Sequence, residues 1–162
     1  DLAIEAMSRV KEFGAKFLIV GDGEMRPEIE KSIAKTGITV QMIGWMPESE
    51  LDRYYEKADI FLHPARWPDP APRAVVTALQ HGLPVIVPDT GGCAWLVGEA
   101  GIVYKTADVD ALTDALRQLL ASPELRTQLS CKAPKQAKRF EETVVYPQIE
   151  SVLLSVIKTA HK

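Results

Sequence analysis

The sequence predicts an α/β fold, a parallel sheet layered between helices. Three observations carry that prediction. Short apolar runs at residues 16–20, 38–44, 59–62, 83–87 and 101–104 alternate with segments of helical spacing. Glycine or proline separates most of these segments. The loops that leave the strands each feed a helix, as in βαβ units. About five strands and eight helices result, in the three-layer arrangement of one Rossmann-like half.

Residues 1–13 read as a helix with Ala3, Ile4, Met7 and Val10 on one face, stopped by Gly14. Residues 16–20 form a buried strand ended by Gly21-Asp22-Gly23. That turn is G-x-G, but Arg26 and Pro27 follow where a third glycine is needed, so the dinucleotide fingerprint fails. Pro27 begins a helix that Gly37 ends. A strand with alternating Ile38, Val40 and Met42 leads to Gly44, Trp45 and Met46. Trp45 there either stacks on a base or packs, and packing is the expectation. Residues 47–50 open a helix carrying Leu51, Tyr54, Tyr55 and Ala58. Later, Asp108 caps a helix with Leu112, Ala115, Leu116, Leu119 and Leu120 at amphipathic spacing. Ser122-Pro123 starts another, through about Phe140, whose Lys132, Lys135, Lys138 and Arg139 form a solvated face. Pro147 is read as opening the final helix.

Composition bounds the function. The chain has 162 residues, 46% hydrophobic and 25% charged, enough apolar material for the core of one domain. A net charge of −3 gives no electrostatic case for nucleic acid. No apolar run reaches membrane-spanning length and no signal peptide is visible. Cys93 and Cys131 lack motif spacing, so reduced thiols and a cytoplasmic location are expected. His63, His81 and His161 have no metal-ligand spacing with them, and no metal is expected. His63 alone, at a strand end, reads as structural.

The chemistry concentrates at residues 63–92, HPARWPDPAPRAVVTALQHGLPVIVPDTGG. A proline-rich loop, 66–72, leads into a helix with Val75, Val76 and Leu79 on one face, ended near Gly82. Pro72 suits the first helical position, which leaves the N–H groups of Arg73, Ala74 and Val75 open toward the loop. Open donors at a helix start favour an anion, phosphate above all. Arg66 and Arg73 add cationic forks. Asp69 would repel a phosphate, so its natural role is to accept hydrogen bonds from neutral hydroxyls such as those of a sugar. The competing structural reading is a loop that turns the chain beside solvated arginines.

This stretch resembles the donor-binding signature of the retaining GT-B glycosyltransferases of the group 1, or family-four, class. That signature runs approximately hPS…E-x-F-G-x-x-x-x-E-A-M-A-x-G-x-P-V-V…GG-x-x-E, with a subgroup reading D-P-C-P-N-x-V-x-E-A-L-A-C-G-L-P-V. The resemblance extends to Gly21-Asp22-Gly23, Gly44-Trp45-Met46-Pro47 and Val97-Gly98-Glu99-Ala100-Gly101. It implies the nucleotide-sugar-binding half of a transferase that keeps anomeric configuration, with the acceptor half and the first strand of this half lying elsewhere.

By the same resemblance, Asp69 is the catalytic-site acid that touches the donor sugar. Gly21 and Gly23 border the donor pocket. Gly44, Trp45 and Met46 lie where backbone meets the nucleotide base. Ala71, Arg73 and Ala74 lie where backbone binds sugar hydroxyls and phosphate, with Arg66 beside them; Pro72 has no N–H to give. Thr77 stands eight positions after Asp69 where the family has the ribose-binding acid. Trp95 replaces the GG-x-x-E glutamate. The implied donor is a nucleotide-diphosphate sugar, with no further cofactor, and the implied acceptor a sugar or lipid-linked molecule. Parents of this class often touch the membrane surface through the acceptor half. Two rivals stand beside the transferase: a degenerate GT-B-like binding or assembly module, supported by Thr77 and Trp95, and, more weakly, a nucleotide-sugar epimerase of the same fold.

Overall fold

A computed structural model describes residues 1–160. The elements run α1 (Leu2–Ser8), β1 (Phe17–Val20), α2 (Arg26–Thr36), β2 (Val40–Gly44), α3 (Asp52–Tyr55), β3 (Phe61–Leu62), α4 (Arg73–Gln80), β4 (Val85–Pro88), α5 (Cys93–Val97), β5 (Gly101–Tyr104), α6 (Val109–Ala121), α7 (Pro123–Ala137) and α8 (Glu142–Ala160). Single 3-10 turns at 11–13, 48–50 and 138–140 lead into or out of helices. The alternation of strand and helix therefore holds, with every pairing between strands parallel.

The strands form two sheets rather than one. β1 pairs with β2, and β3, β4 and β5 pair in that order. Among the described residues nothing pairs with the second edge of β1 or with that of β3. Leu18 and Val20, on one face of β1, are more than a third exposed. β4 is the centre of its sheet and all four of its residues are buried. A strand covered on both faces needs such an unbroken apolar run.

Helices cover β4 from two sides. On one, Val85 and Val87 pack with Val75, Ala78 and Leu79 of α4, with Cys93, Leu96 and Val97 of α5, and with Ala133 and Ala137 of α7. On the other, Ile86 and Tyr104 pack with Leu2, Ala6 and Met7 of α1 and Leu112, Ala115, Leu116 and Leu119 of α6. This is the three-layer arrangement. Gly101 is required in it, because a Cβ there would lie 2.2 Å from the Val85 carbonyl oxygen.

Local signals set most boundaries. Gly14, Gly37 and Gly82 take positive φ of 64°, 68° and 73° where helices stop. Asp108 accepts from the Ala111 N–H at 3.0 Å, and Ser122 from the Leu125 N–H at 3.1 Å, as N-caps do. The final helix departs from expectation: Pro147 lies inside it, and it begins at Glu142. The Glu141 carbonyl already accepts from Val144 and Val145 at 2.9 Å each, so the helix is nucleated before the proline is reached. Pro147 then costs one i→i−4 bond in the second turn. Along α8, Tyr146, Ile149, Val152, Leu153 and Val156 remain exposed.

Leu79 tests the packing. It is fully buried between α4 and the sheet. Leu79→Ala should lower unfolding free energy by about 2–5 kcal/mol in a urea titration. A loss within the ~0.5 kcal/mol typical of surface sites would show that α4 does not pack as described.

Candidate functional site

The carboxyl ends of β3 and β4 carry the two loops singled out in the sequence, and backbone contacts stitch them together. The Gly92 N–H donates to the Asp69 carbonyl at 2.9 Å. Neither glycine of the pair could carry a side chain. A Cβ on Gly91 would lie 2.2 Å from the Asp69 oxygen, and one on Gly92 would lie 1.9 Å from the Pro70 oxygen. Gly91 also takes a φ of 60°. The second loop is held from behind by Asp89, whose carboxylate accepts from the Thr106 hydroxyl at 2.6 Å and from its N–H at 2.8 Å. Those bonds hold the Asp89 carboxyl below the usual range.

The proline loop ends in a bend that delivers α4. Asp69 turns its carboxylate onto the Ala71 N–H at 2.9 Å, an Asx turn. Pro72 is the residue before the helix rather than its first residue. Its carbonyl accepts from the Val75 N–H at 3.0 Å. Of the three amides expected to be open, Val75 is therefore occupied, since a helix begun at Arg73 returns its third N–H to the capping carbonyl. The Arg73 and Ala74 N–H groups have no acceptor among the described residues, and both residues are exposed. Ala71, expected to offer its N–H to a ligand, gives it to Asp69 instead.

The two arginines are not free. Arg73 Nη2 lies 2.6 Å from Glu48 Oε1. Arg66 Nη2 reaches both carboxylate oxygens of Asp1 at 2.8 Å. A site bearing two open amides, a carboxylate and two paired guanidiniums can exchange a carboxylate for another anion at little cost. Exposed ion pairs are worth only about 0–1 kcal/mol.

Thr77 lies one turn into α4, with its hydroxyl donating to the Arg73 carbonyl at 3.1 Å. Its lone pairs remain able to accept, but its proton is engaged. Trp95 leaves the site altogether. Its ring packs edge-on against Phe140 with centroids 4.9 Å apart, the Arg139 guanidinium covers it at 5.6 Å, and Gln136 bonds its carbonyl. It fastens α5 to the end of α7.

The remaining expected residues form a neighbouring group at the ends of β1 and β2. The Gly21 N–H donates to the Gly44 carbonyl at 2.7 Å, with φ of 128° and 86° at the two glycines. Asp22 accepts from Gly23 N–H at 2.9 Å and pairs with Arg26 at 3.3 Å, and Arg26 covers the Gly44 Cα. Trp45, expected to pack, is 77% exposed. A positive φ at Gly44 ends the strand and turns the next side chain outward. Met46 beside it is half-buried. Arg26 was not singled out in the sequence, although its i,i+4 spacing from Asp22 was available as a signal.

His63 stands beneath the stitched loops. Its N–H continues the β3–β4 ladder to the Ile86 carbonyl at 2.9 Å, while its Nε2 is buried without a hydrogen-bond partner among the described residues. Burial pushes the imidazole below its ordinary value of 6.5, and Asp69 opposes that shift. The Tyr104 hydroxyl is also buried without a partner among the described residues, and burial pushes it up to about 12. Cys93 and Cys131 are both free thiols. Among the described residues no group of three His, Cys, Asp or Glu is placed to hold a metal, and no helix is long and apolar enough to cross a membrane. His161 lies outside the described residues.

The His63 shift fixes the sign of a pH dependence. The unfolded imidazole takes a proton near pH 6.5 and the folded one only at lower pH, so folding loses stability as pH falls below about 6.5. His63→Leu should flatten the pH dependence of the urea midpoint between pH 7 and 5. An unchanged slope would show that His63 is not the group responsible.

Comparison with known proteins places the chain in a family and its fold among solved structures. The family model described as "Glycosyl transferases group 1" matches residues 1–136. The amylovoran biosynthesis glycosyltransferase AmsK of Erwinia amylovora is 27% identical over 94% of this chain and 40% of its own length. The alpha-D-kanosaminyltransferase of Streptomyces kanamyceticus is 26% identical over 92% of this chain and 40% of its own length. The chain thus spans about two fifths of the length of these relatives. Among solved structures, Anabaena HepE in complex with UDP superposes with a TM-score of 0.83 at 21% identity, over 95% of this chain and 44% of that one. HepE has also been solved with UDP-glucose. The fold is therefore the Rossmann-like α/β half of a GT-B structure. With a family model covering most of its length, this chain belongs to the group 1 glycosyl transferases.

Proposed function

We propose that this chain is the donor-binding domain of a retaining glycosyltransferase and that it holds a nucleotide-diphosphate sugar at the start of α4. One observation carries the reading. The Arg73 and Ala74 amides are open and exposed at the end of a bend that the two stitched loops hold in place. Helix-start amides favour phosphate, and in a transferase they would stabilise the charge that develops on the departing diphosphate. Asp69 lies two residues before the bend, with its second carboxylate oxygen available to sugar hydroxyls. Met46 and the exposed Trp45 offer backbone and an aromatic face to the base. Gly21, Gly23 and Gly44 shape the adjoining wall.

The UDP and UDP-glucose bound to HepE support a uridine nucleotide as donor. The acceptor, a sugar or a lipid-linked molecule, would be held by a second half within the length of the relatives that this chain does not span. Without that half the domain binds donor but does not transfer. The unpaired edges of β1 and β3 support the reading that the complete domain takes one further strand between its two sheets. No metal is invoked, and the parent works in the cytoplasm, in contact with the membrane surface through the acceptor half.

One alternative has its own support. Thr77 is bonded to its own helix and Trp95 to Phe140, so two positions that carry acids in the family contribute none here. A degenerate GT-B-like module for binding or assembly would look the same at those positions.

Titration of the intact protein with UDP-glucose and, separately, with a guanosine diphosphate sugar distinguishes the two. The donor reading expects saturable binding of one of them. Arg73→Ala or Asp69→Asn should weaken it about 10- to 100-fold, the loss expected for a hydrogen bond to a charged group. Thr77→Glu should tighten it by restoring a ribose acceptor. Absence of binding, transfer and hydrolysis with both donors would favour the module.

A further inference from the structure

An ion pair and a histidine–carboxylate hydrogen bond tie the segment 45–55 to opposite ends of α4. At the helix start, Arg73 Nη2 meets Glu48 Oε1 at 2.6 Å. Past its end, His81 Nε2 meets Asp52 Oδ1 at 3.2 Å, and the His81 ring stacks on Tyr55 with centroids 5.2 Å apart and planes at 10°. The two ties differ in exposure. The His81 side chain is 22% exposed and backed by an aromatic ring, with only its Asp52 partner exposed at 64%, whereas the Arg73 and Glu48 side chains are both exposed, at 83% and 70%. The segment is therefore anchored at its far end and latched at its near end. Glu48 follows Trp45 and Met46 directly, one proline away.

Resting on the donor reading above, we propose that Glu48 is a built-in competitor of the donor: its carboxylate occupies the Arg73 guanidinium in the empty site, and a diphosphate displaces it. A guanidinium holds a carboxylate and a phosphate through the same paired N–H geometry. Two anions sharing one exposed guanidinium repel each other, so each weakens the hold of the other. A diphosphate on the Arg73 and Ala74 amides would draw Arg73 toward itself and release the 45–50 turn. Trp45 lies on that turn, so the exchange couples phosphate capture to movement of the aromatic face that meets the base. Glu48 thereby sets donor affinity and makes it depend on salt.

The test is calorimetric titration of the intact protein with UDP and, separately, with inorganic pyrophosphate, in wild type, Glu48→Gln, Arg73→Ala and the double variant. Glu48→Gln should bind both probes about two- to fivefold tighter, the span expected from the strength of an exposed pair. The gain should vanish in the Arg73→Ala background and shrink in high salt. Equal or weaker binding by Glu48→Gln overturns the proposal, as does a gain that persists without Arg73. Pyrophosphate binding that tightens in Glu48→Gln while UDP binds to none of the variants keeps the latch and removes the nucleotide reading. Failure of both probes with every variant removes both.

Discussion

The candidate site depends on one backbone contact. Gly91 and Gly92 lie directly against Asp69 and Pro70, so close that no side chain fits between them. That contact fixes the proline loop relative to the loop after β4. The proline loop in turn decides where α4 begins and which way its first amides face. Glycine at both positions follows from sterics alone, since any Cβ would force the loops apart. Asp89 and Thr106 secure the second loop to the chain after β5, so the stitched pair is anchored to the sheet rather than floating above it.

The chemistry that results is smaller than a list of charged residues suggests. Every expected cation near the bend already has a carboxylate, and Ala71 and Val75 have given their amides to the loop and to Pro72. What remains open is the pair of amides at Arg73 and Ala74, with exchangeable arginine at the margin. Fixed dipoles are well suited to this task. They cost no reorganisation when charge develops, whereas a solvated arginine must first be ordered. The His63 nitrogen and Tyr104 hydroxyl, buried without partners among the described residues, lie deeper, at the ends of β3 and β5, where burial disfavours the charged form of each.

Much of the architecture was legible because short-range physics decides it. The all-apolar β4, the amphipathic α6 with Asp108 before it, and the positive-φ glycines after helices are each readable within a few residues. Pro147 misled because its own preference for a helix start gave way to capping six residues earlier at Glu141. The site was half legible. Spacing pointed to the α4 start, but the partners of its arginines lie 25 and 65 residues away, and no local pattern announces them. Trp45 was assigned to packing on average behaviour, while the turn at Gly44 aims it at solvent. The separation into two sheets was likewise invisible, because strand periodicity says nothing about which edges find a partner.

Anion capture at this site rests on the two open amides of Arg73 and Ala74. The most direct measurement is backbone amide NMR of the intact protein during addition of UDP-glucose. The account predicts large, saturable shifts at the Arg73 and Ala74 N–H resonances, with Gly91 and Gly92 moving little because their contact is already made. Saturable binding that leaves Arg73 and Ala74 unshifted, with the changes elsewhere on the surface, would contradict it.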